Sequence, residues 1–304
     1  MAGATFRAAP VRVRVPATSA NLGPGFDACG LALTLYDDIV VQVTESGLDV
    51  QVAGEGAQKV PVGERHLVVK AMRAAFKVLG GQPRGLALRC ANRIPHGRGL
   101  GSSAAAIVAG VVAARSVVVG GQDRLDDLAL LRLASRLEGH PDNVAACLLG
   151  GYTIAWTEEV GVRAVSSPVS DLVVPVAFVP TTQVSTAKAR RMLPATVPFG
   201  DVALCAGRAA LLTMALTVRP DLLLPATEDR LHQGYRAEAM PRSAALVQRL
   251  RSAGLPAVVS GAGPTVLVLA SPGTAARAAA DAPKGWAVHE LAVDSGGATV
   301  LPMD

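Results

Sequence analysis

Val11, Val13 and Val15 alternate with Arg12 and Arg14, the period-two pattern of a half-buried strand. The residues before them, Ala2, Gly3, Ala8 and Ala9 included, read as a loose arm. Extended segments are predicted over 31–43 and 48–52. From 64 to 79, Leu67, Ala71, Ala74, Ala75 and Val78 take helical spacing, and Gly80-Gly81 closes that helix. Leu86 and Leu88 mark another strand. The glycine-rich stretch Ile94 to Ser103 leads into a helix reaching about Val119. A second helix over 124–137, a short one around 144–148 and a strand from Tyr152 to Trp156 follow.

Residues 157–171, with Ser166, Ser167, Pro168 and Ser170, are polar and predict a boundary between two domains, 1–165 and 166–304. Beyond it the pattern predicts a strand over 172–179, helices over 185–193, 199–217 and 240–253, strands over 256–260 and 265–270, a helix over 273–281 and a last strand over 286–293. With the helices after the first strand taken as one crossover, this half reads β-α-β-β-α-β, the ferredoxin-like order. The predicted fold class is α+β in two domains.

The 304 residues are 50% hydrophobic, enough for a sizeable core, and only 17% charged, with a mean hydropathy of +0.37. A membrane span needs about 20 uninterrupted apolar residues. The longest uncharged stretch, Leu255 to Ala276, carries Pro256, Pro264 and Pro272, and the apolar run from Ala104 to Ala114 is short. No membrane partner is therefore expected. No basic region leads into an apolar run near Met1, so no secretion signal is expected either. Cys29, Cys90, Cys147 and Cys205 are far apart, without a CxxC pair, which argues against a disulfide scaffold or a zinc site and for a reducing cytoplasm. The net charge of +5 is scattered and aromatics are only 3%, an arrangement that argues against a nucleic-acid partner. It suits anionic small substrates.

Three segments hold the candidate chemistry. In Pro95-His96-Gly97-Arg98-Gly99-Leu100-Gly101-Ser102-Ser103-Ala104-Ala105, three glycines let backbone amides converge on an anion. Ser102 and Ser103 open a helix, where they either cap it or face a ligand, and the helix end adds unpaired N–H groups. The spacing matches neither a Walker A loop nor a dinucleotide-binding turn. A plain glycine turn before a core helix fits the same residues. The second segment, Pro16 to Asp27, sets Asn21 and Asp27 on a Gly-Pro-Gly frame at a strand end. There they serve either a ligand or the turn itself. The third, Ser260-Gly261-Ala262-Gly263-Pro264-Thr265, reads alone as a hairpin connection.

In this order and spacing the three segments resemble the three motifs of the GHMP kinases, and the resemblance runs from about Val11 to Val293. The Pro16-to-Asp27 wording and Glu138-Gly139-His140-Pro141-Asp142-Asn143 point to the branch of that family that phosphorylates L-homoserine. The resemblance implies an N-terminal domain like ribosomal protein S5 domain 2, followed by a ferredoxin-like domain. It implies ATP-dependent phosphorylation of the L-homoserine side-chain hydroxyl, a step of threonine biosynthesis, with Mg²⁺, and a homodimer. Pro95 to Ala105 become the ATP loop, with Arg98 where a lysine is frequent. Ser103, or alternatively Ser102, and Glu138 become the Mg²⁺ ligands. Asp27 is matched to the substrate ammonium and Arg190 and Arg236 to its carboxylate, with Arg191 a rival to Arg190. Asn21, His140, Asn143, Thr186, Gly261 and Gly263 complete the pocket. Asn143 is to orient the hydroxyl while a phosphate oxygen takes its proton, with Asp142 as the alternative base.

One local departure stands out. Where the family often has an asparagine in an Asn-Leu-Val segment lining the adenine pocket, this chain reads Arg65-His66-Leu67-Val68. His66 then either replaces that hydrogen-bonding group or is exposed. Two other functions fit the motifs: a kinase of another small alcohol such as mevalonate, and a metabolite-binding module without turnover.

Overall fold

The computed structural model describes residues 3–303, so Ala2 of the predicted arm lies outside the described residues. Its strands are β1 (Val11–Asn21), β2 (Gly25–Thr44), β3 (Gly47–Gly54), β4 (Gly85–Asn92), β5 (Tyr152–Glu158), β6 (Gly161–Ser167), β7 (Val174–Val179), β8 (Ala257–Val259), β9 (Val266–Ala270), β10 (Ala287–Glu290) and β11 (Thr299–Leu301). The first sheet runs β11-β1-β2-β4-β3, and β5 joins β2 to β6. Its longest strand, β2, pairs with β5 through Cys29, Gly30 and Leu31 and with β4 from Asp38 to Thr44. The helices Ser102–Val117 and Asp142–Leu149 pack on β1 and β2, and Leu67–Leu79 packs on Ser102–Val117. Gly110 permits that last approach, because a β-carbon there would lie 2.5 Å from the Val68 carbonyl oxygen.

The second sheet has the order β10-β7-β9-β8 with every neighbour antiparallel, the order that the β-α-β-β-α-β reading requires. Both of its faces are covered. Ala177, Val179, Leu267 and Leu269 join the core of the first sheet, while Val176, Phe178, Val266 and Val268 pack with Leu246 and Leu250 of the helix Pro241–Ser252. Pro at the first position of that helix removes an N–H that would have no partner.

Four readings of the sequence differ from the structure. The arm is docked rather than loose: Arg7 N–H donates to Val117, Val119 N–H donates to Thr5, and Phe6 meets Phe76 edge-on at 5.6 Å. The polar stretch 157–171 contains β6, whose half-exposed residues disguise an edge strand that still belongs to the first sheet. At the other end β11 pairs with β1, so the 166–304 grouping departs from the sheets at both its limits. Finally, the 19-residue helix Phe199–Thr217, with a hydropathy of 1.4, is long and apolar enough to cross a membrane. Asp201 and Arg208 hid it from a search for uncharged runs. Leu212, Ala215 and Leu216 face the core, whereas Phe199 is 87% exposed.

Candidate active site

The three glycine-bearing segments are tied together by their own backbones. Thr18 N–H donates to the Leu100 carbonyl, Gly261 N–H to Ala20 and Thr265 N–H to Arg98. The Ser260 hydroxyl reaches both the Gly99 carbonyl (2.6 Å) and the Ser19 hydroxyl (2.8 Å). Gly97, Gly99 and Gly101 all have positive φ, and a β-carbon on Gly99 would stand 2.3 Å from the Ser260 carbonyl oxygen. The loop is therefore shaped by both halves of the chain. The segment after β7 adds a strap, with Val184 N–H donating to Gly97 and the Gln183 amide to His96.

Gly101 opens the helix Ser102–Val117 without any side-chain cap, and the first internal bond runs from Ala105 N–H to Gly101. The preceding amides face the cleft with the positive end of the helix dipole, a ready anion site. Ser103 donates its hydroxyl hydrogen to Glu138. Glu138 is the last residue of the helix Asp127–Glu138, which Asp126 caps and Gly139 ends at φ 94°. Burial pushes the Glu138 carboxyl up despite the serine and nearby His140. Asp142, 2% exposed, accepts from the His140 ring (2.8 Å) and the Asn143 N–H (2.7 Å). Its hydrogen bond holds the His140 imidazole above the usual histidine range. Asn143 Oδ1 in turn accepts from the Thr18 hydroxyl at 2.8 Å.

Across the cleft, Asn21, Leu22 and Asp27 adopt positive φ, a conformation Asn and Asp tolerate better than most residues. Asn21 bridges the halves: its side-chain amide donates to Gly261 (2.9 Å) and its oxygen accepts from Asp27 N–H (3.0 Å). Arg190, on the helix Thr186–Arg191, grips Asp27 with two parallel bonds of 2.9 and 2.6 Å. Arg236 is 2% exposed, and among the described ion pairs none holds it to a carboxylate. It leans on the Ala189 and Gly261 carbonyls and His232, over the Phe26 ring at 5.2 Å. Burial first, and then Arg190, pulls its pKa down.

Beside this cleft lies a second, mainly apolar slot of about 250 Å³, sharing Ser102 and Ser103 as its wall and lined by Ile39, Val60, His66 and Val68. His66 is 5% exposed, and its Nδ1 has no hydrogen-bond partner among the described residues. A buried nitrogen free to hydrogen-bond in a mainly apolar slot next to an anion site is suited to a purine. The exposed alternative for His66 is excluded.

Of the residues singled out in the sequence, Asn21, Asp27, Gly97, Gly99, Gly101, Ser102, Ser103, Glu138, His140, Asn143, Thr186, Arg190, Arg236, Gly261 and Gly263 line the one cleft. His96 and Ala105 line the slot. In the rest of the loop, the Pro95, Leu100 and Ala104 side chains are buried beneath it, which leaves their backbones to form it. Arg98 turns to Glu55 (3.7 Å) and the Thr181 carbonyl (3.4 Å). Arg191 is exposed outside the cleft. Thr18 and Asp37 were missed. Asp37 accepts the Arg93 and Ile94 N–H bonds (2.6 and 2.9 Å) and so fixes the entry to the loop. A carboxylate inside the apolar run of β2 was the available signal.

The paired oxygen donors Ser103 and Glu138 suit a hard cation such as Mg²⁺ that takes its other ligands from phosphate and water. Among the described residues no group of three His, Cys, Asp or Glu side chains could hold a metal ion.

Residues 66–151 match the GHMP kinases N terminal domain, and residues 205–288 match the GHMP kinases C terminal domain. The chain is 64% identical to a homoserine kinase of Streptomyces coelicolor, over 100% of this chain and 98% of that one. It is 63% identical to a homoserine kinase of Streptomyces avermitilis, over 100% and 99%. A crystal structure of homoserine kinase from Cytophaga hutchinsonii superposes with a TM-score of 0.85 at 25% identity, over 99% of this chain and all (100%) of that one.

Proposed function

The chain belongs to the GHMP kinase family, and on that premise we propose that it transfers the γ-phosphoryl group of ATP to the side-chain hydroxyl of L-homoserine, giving O-phospho-L-homoserine and ADP. The observation that carries this reading is one cleft in which a carboxylate, Asp27, and two guanidiniums, Arg190 and Arg236, sit beside the uncapped helix end at Ser102. With Glu138 assigned to a cation and Asp142 bonded to His140, Asp27 and the two guanidiniums beside an anion site match an ammonium, a carboxylate and a polyphosphate.

In this reading the purine occupies the slot at His66 and the phosphates lie on the amides after Gly101. Ser103 and Glu138 would hold Mg²⁺, which would neutralise phosphate charge when bound. Asn143, fixed by Thr18 and Asp142, orients the acceptor hydroxyl. Its oxygen forms the new bond to the γ-phosphorus as the bond to the ADP oxygen breaks, and its proton passes to a phosphate oxygen. Asp142 is already committed to His140 and the Asn143 amide, which favours a positioning role over that of a base. Positioning and charge neutralisation carry most of the acceleration of a loose phosphoryl transition state. Four buried free cysteines fit a reducing cytoplasm, and phosphorylation of L-homoserine fits a place in threonine biosynthesis.

The test is ADP release with Mg²⁺-ATP and L-homoserine, mevalonate or no acceptor. Turnover confined to L-homoserine is the expected result. Turnover with mevalonate alone overturns the acceptor assignment, and ATP binding without any turnover favours a binding module.

A further inference from the structure

The groups assigned above to the two charges of the acceptor are bonded to each other. Arg190 donates two hydrogen bonds to Asp27, and the side chains are 38% and 37% exposed, so solvent and solutes reach the pair. The two residues come from different halves of the chain, one from the start of β2 and one from the helix after β7. Arg236 lies on the same Phe26 ring with no carboxylate among its described ion pairs. Apart from Glu138 and the His140–Asp142 pair, the cleft thus holds one bidentate pair of opposite charges, Asp27–Arg190, and one guanidinium, Arg236, with no carboxylate among its described ion pairs.

We propose that the Asp27–Arg190 pair is an internal stand-in for a zwitterion, and that the acceptor binds by ion-pair exchange. Its ammonium takes Asp27 as its carboxylate takes Arg190 and Arg236, so one bidentate pair is replaced by two intermolecular ones. The inference rests on the acceptor assignment made above and adds a specificity rule to it. A ligand bearing both charges compensates both halves of the broken pair. A ligand bearing one charge frees a partner that it cannot satisfy, and the pair itself competes with it.

Competition of this kind has a signature that simple addition of contacts lacks: removing one member of the pair should improve binding of a ligand that needs only the other. The probes are 3-amino-1-propanol, which lacks the carboxylate, and 4-hydroxybutanoate, which lacks the ammonium, with dissociation constants read by calorimetry. Arg190→Gln should bind the amino alcohol about 3- to 5-fold tighter than the wild type, the range expected for release of a part-exposed ion pair. Asp27→Asn should do the same for 4-hydroxybutanoate. Asparagine keeps the positive φ of +55° that alanine would strain, so this second variant tests the pair without disturbing the turn. Arg236→Gln removes the same charge without breaking the pair, and it separates release of Asp27 from mere relief of repulsion. A gain in Arg190→Gln absent from Arg236→Gln supports exchange. Equal gains in both, or no gain in Arg190→Gln, overturn it while wild-type binding of L-homoserine leaves the acceptor assignment standing. Failure of the wild type to bind L-homoserine overturns both.

Discussion

A β-carbon on Gly101 would stand 1.9 Å from the hydroxyl oxygen of Thr18, and that hydroxyl holds Asn143 in the cleft. Gly101 also has φ +69°, so any side chain there is strained in itself and displaces the residue that positions the acceptor. Gly101→Ala should lower kcat by about 100-fold or more, the scale of an ångström-sized misplacement. Steady-state kinetics beside a thermal melt checks this, and a variant with near-normal kcat would detach Thr18 from positioning.

Arg236 is a buried guanidinium without a carboxylate among the described ion pairs, and it therefore favours function over stability. Arg236→Met should raise the KM for L-homoserine by about 10- to 100-fold, the equivalent of roughly 1.5–3 kcal/mol for a hydrogen bond to a charged group. The same variant should melt no lower than the wild type. A fall of many degrees would mean that Arg236 holds the fold together instead.

Glu138 combines burial with a carboxyl displaced upward, an arrangement that a bound cation relieves. Glu138→Gln should raise the Mg²⁺ concentration needed for half-maximal rate by at least the roughly 10- to 100-fold that loss of a metal's outer-shell partner costs. Its melting temperature without nucleotide should hold or rise. An unchanged Mg²⁺ dependence would remove Glu138 from the cation site.

Burial, with His96 adding to it, holds the His66 imidazole below the ordinary histidine value. The unfolded chain begins to protonate this group near pH 6.5, where the folded chain still resists. Unfolded protein then binds more protons, so the His66 contribution to stability is complete above that pH and is lost as pH falls through the folded value. Melting temperatures measured at pH 7.5 and 5.5 should drop less for His66→Asn than for the wild type. Equal drops would sink the argument.

Long apolar periods and glycine punctuation made most of the architecture legible, including the strand order of the second sheet, because three of its four strands, β7, β8 and β9, bury an unbroken run. The edge strand β6 escaped because Arg163, Ser166 and Ser167 give it the polarity of a linker, and its partner β5 supplies the pairing that its own sequence does not announce. The cleft residues were legible as a set of chemical types. What linear reading missed was their mutual satisfaction. Asp27 and Arg190 each look like a free charge waiting for a ligand, and only folding places residues 163 positions apart in a bidentate pair. Leu100 and Ala104 show the opposite, since their place in a glycine-rich loop did not announce that their side chains are buried beneath it.

The pairing of Arg12, Val13 and Arg14 with Leu301, Val300 and Thr299 has a bearing on biogenesis. Translation delivers β1 early and β11 only after the whole second sheet has been made. Throughout that interval one side of β1 faces the ribosome-bound chain's surroundings as an uncovered edge. Arg12 and Arg14, both paired with the single carboxylate of Asp38 on β2, leave net positive charge on this strand, a protection of an open edge against pairing with a stranger. The nascent chain can thus keep this flank soluble until its own last strand arrives to cover it.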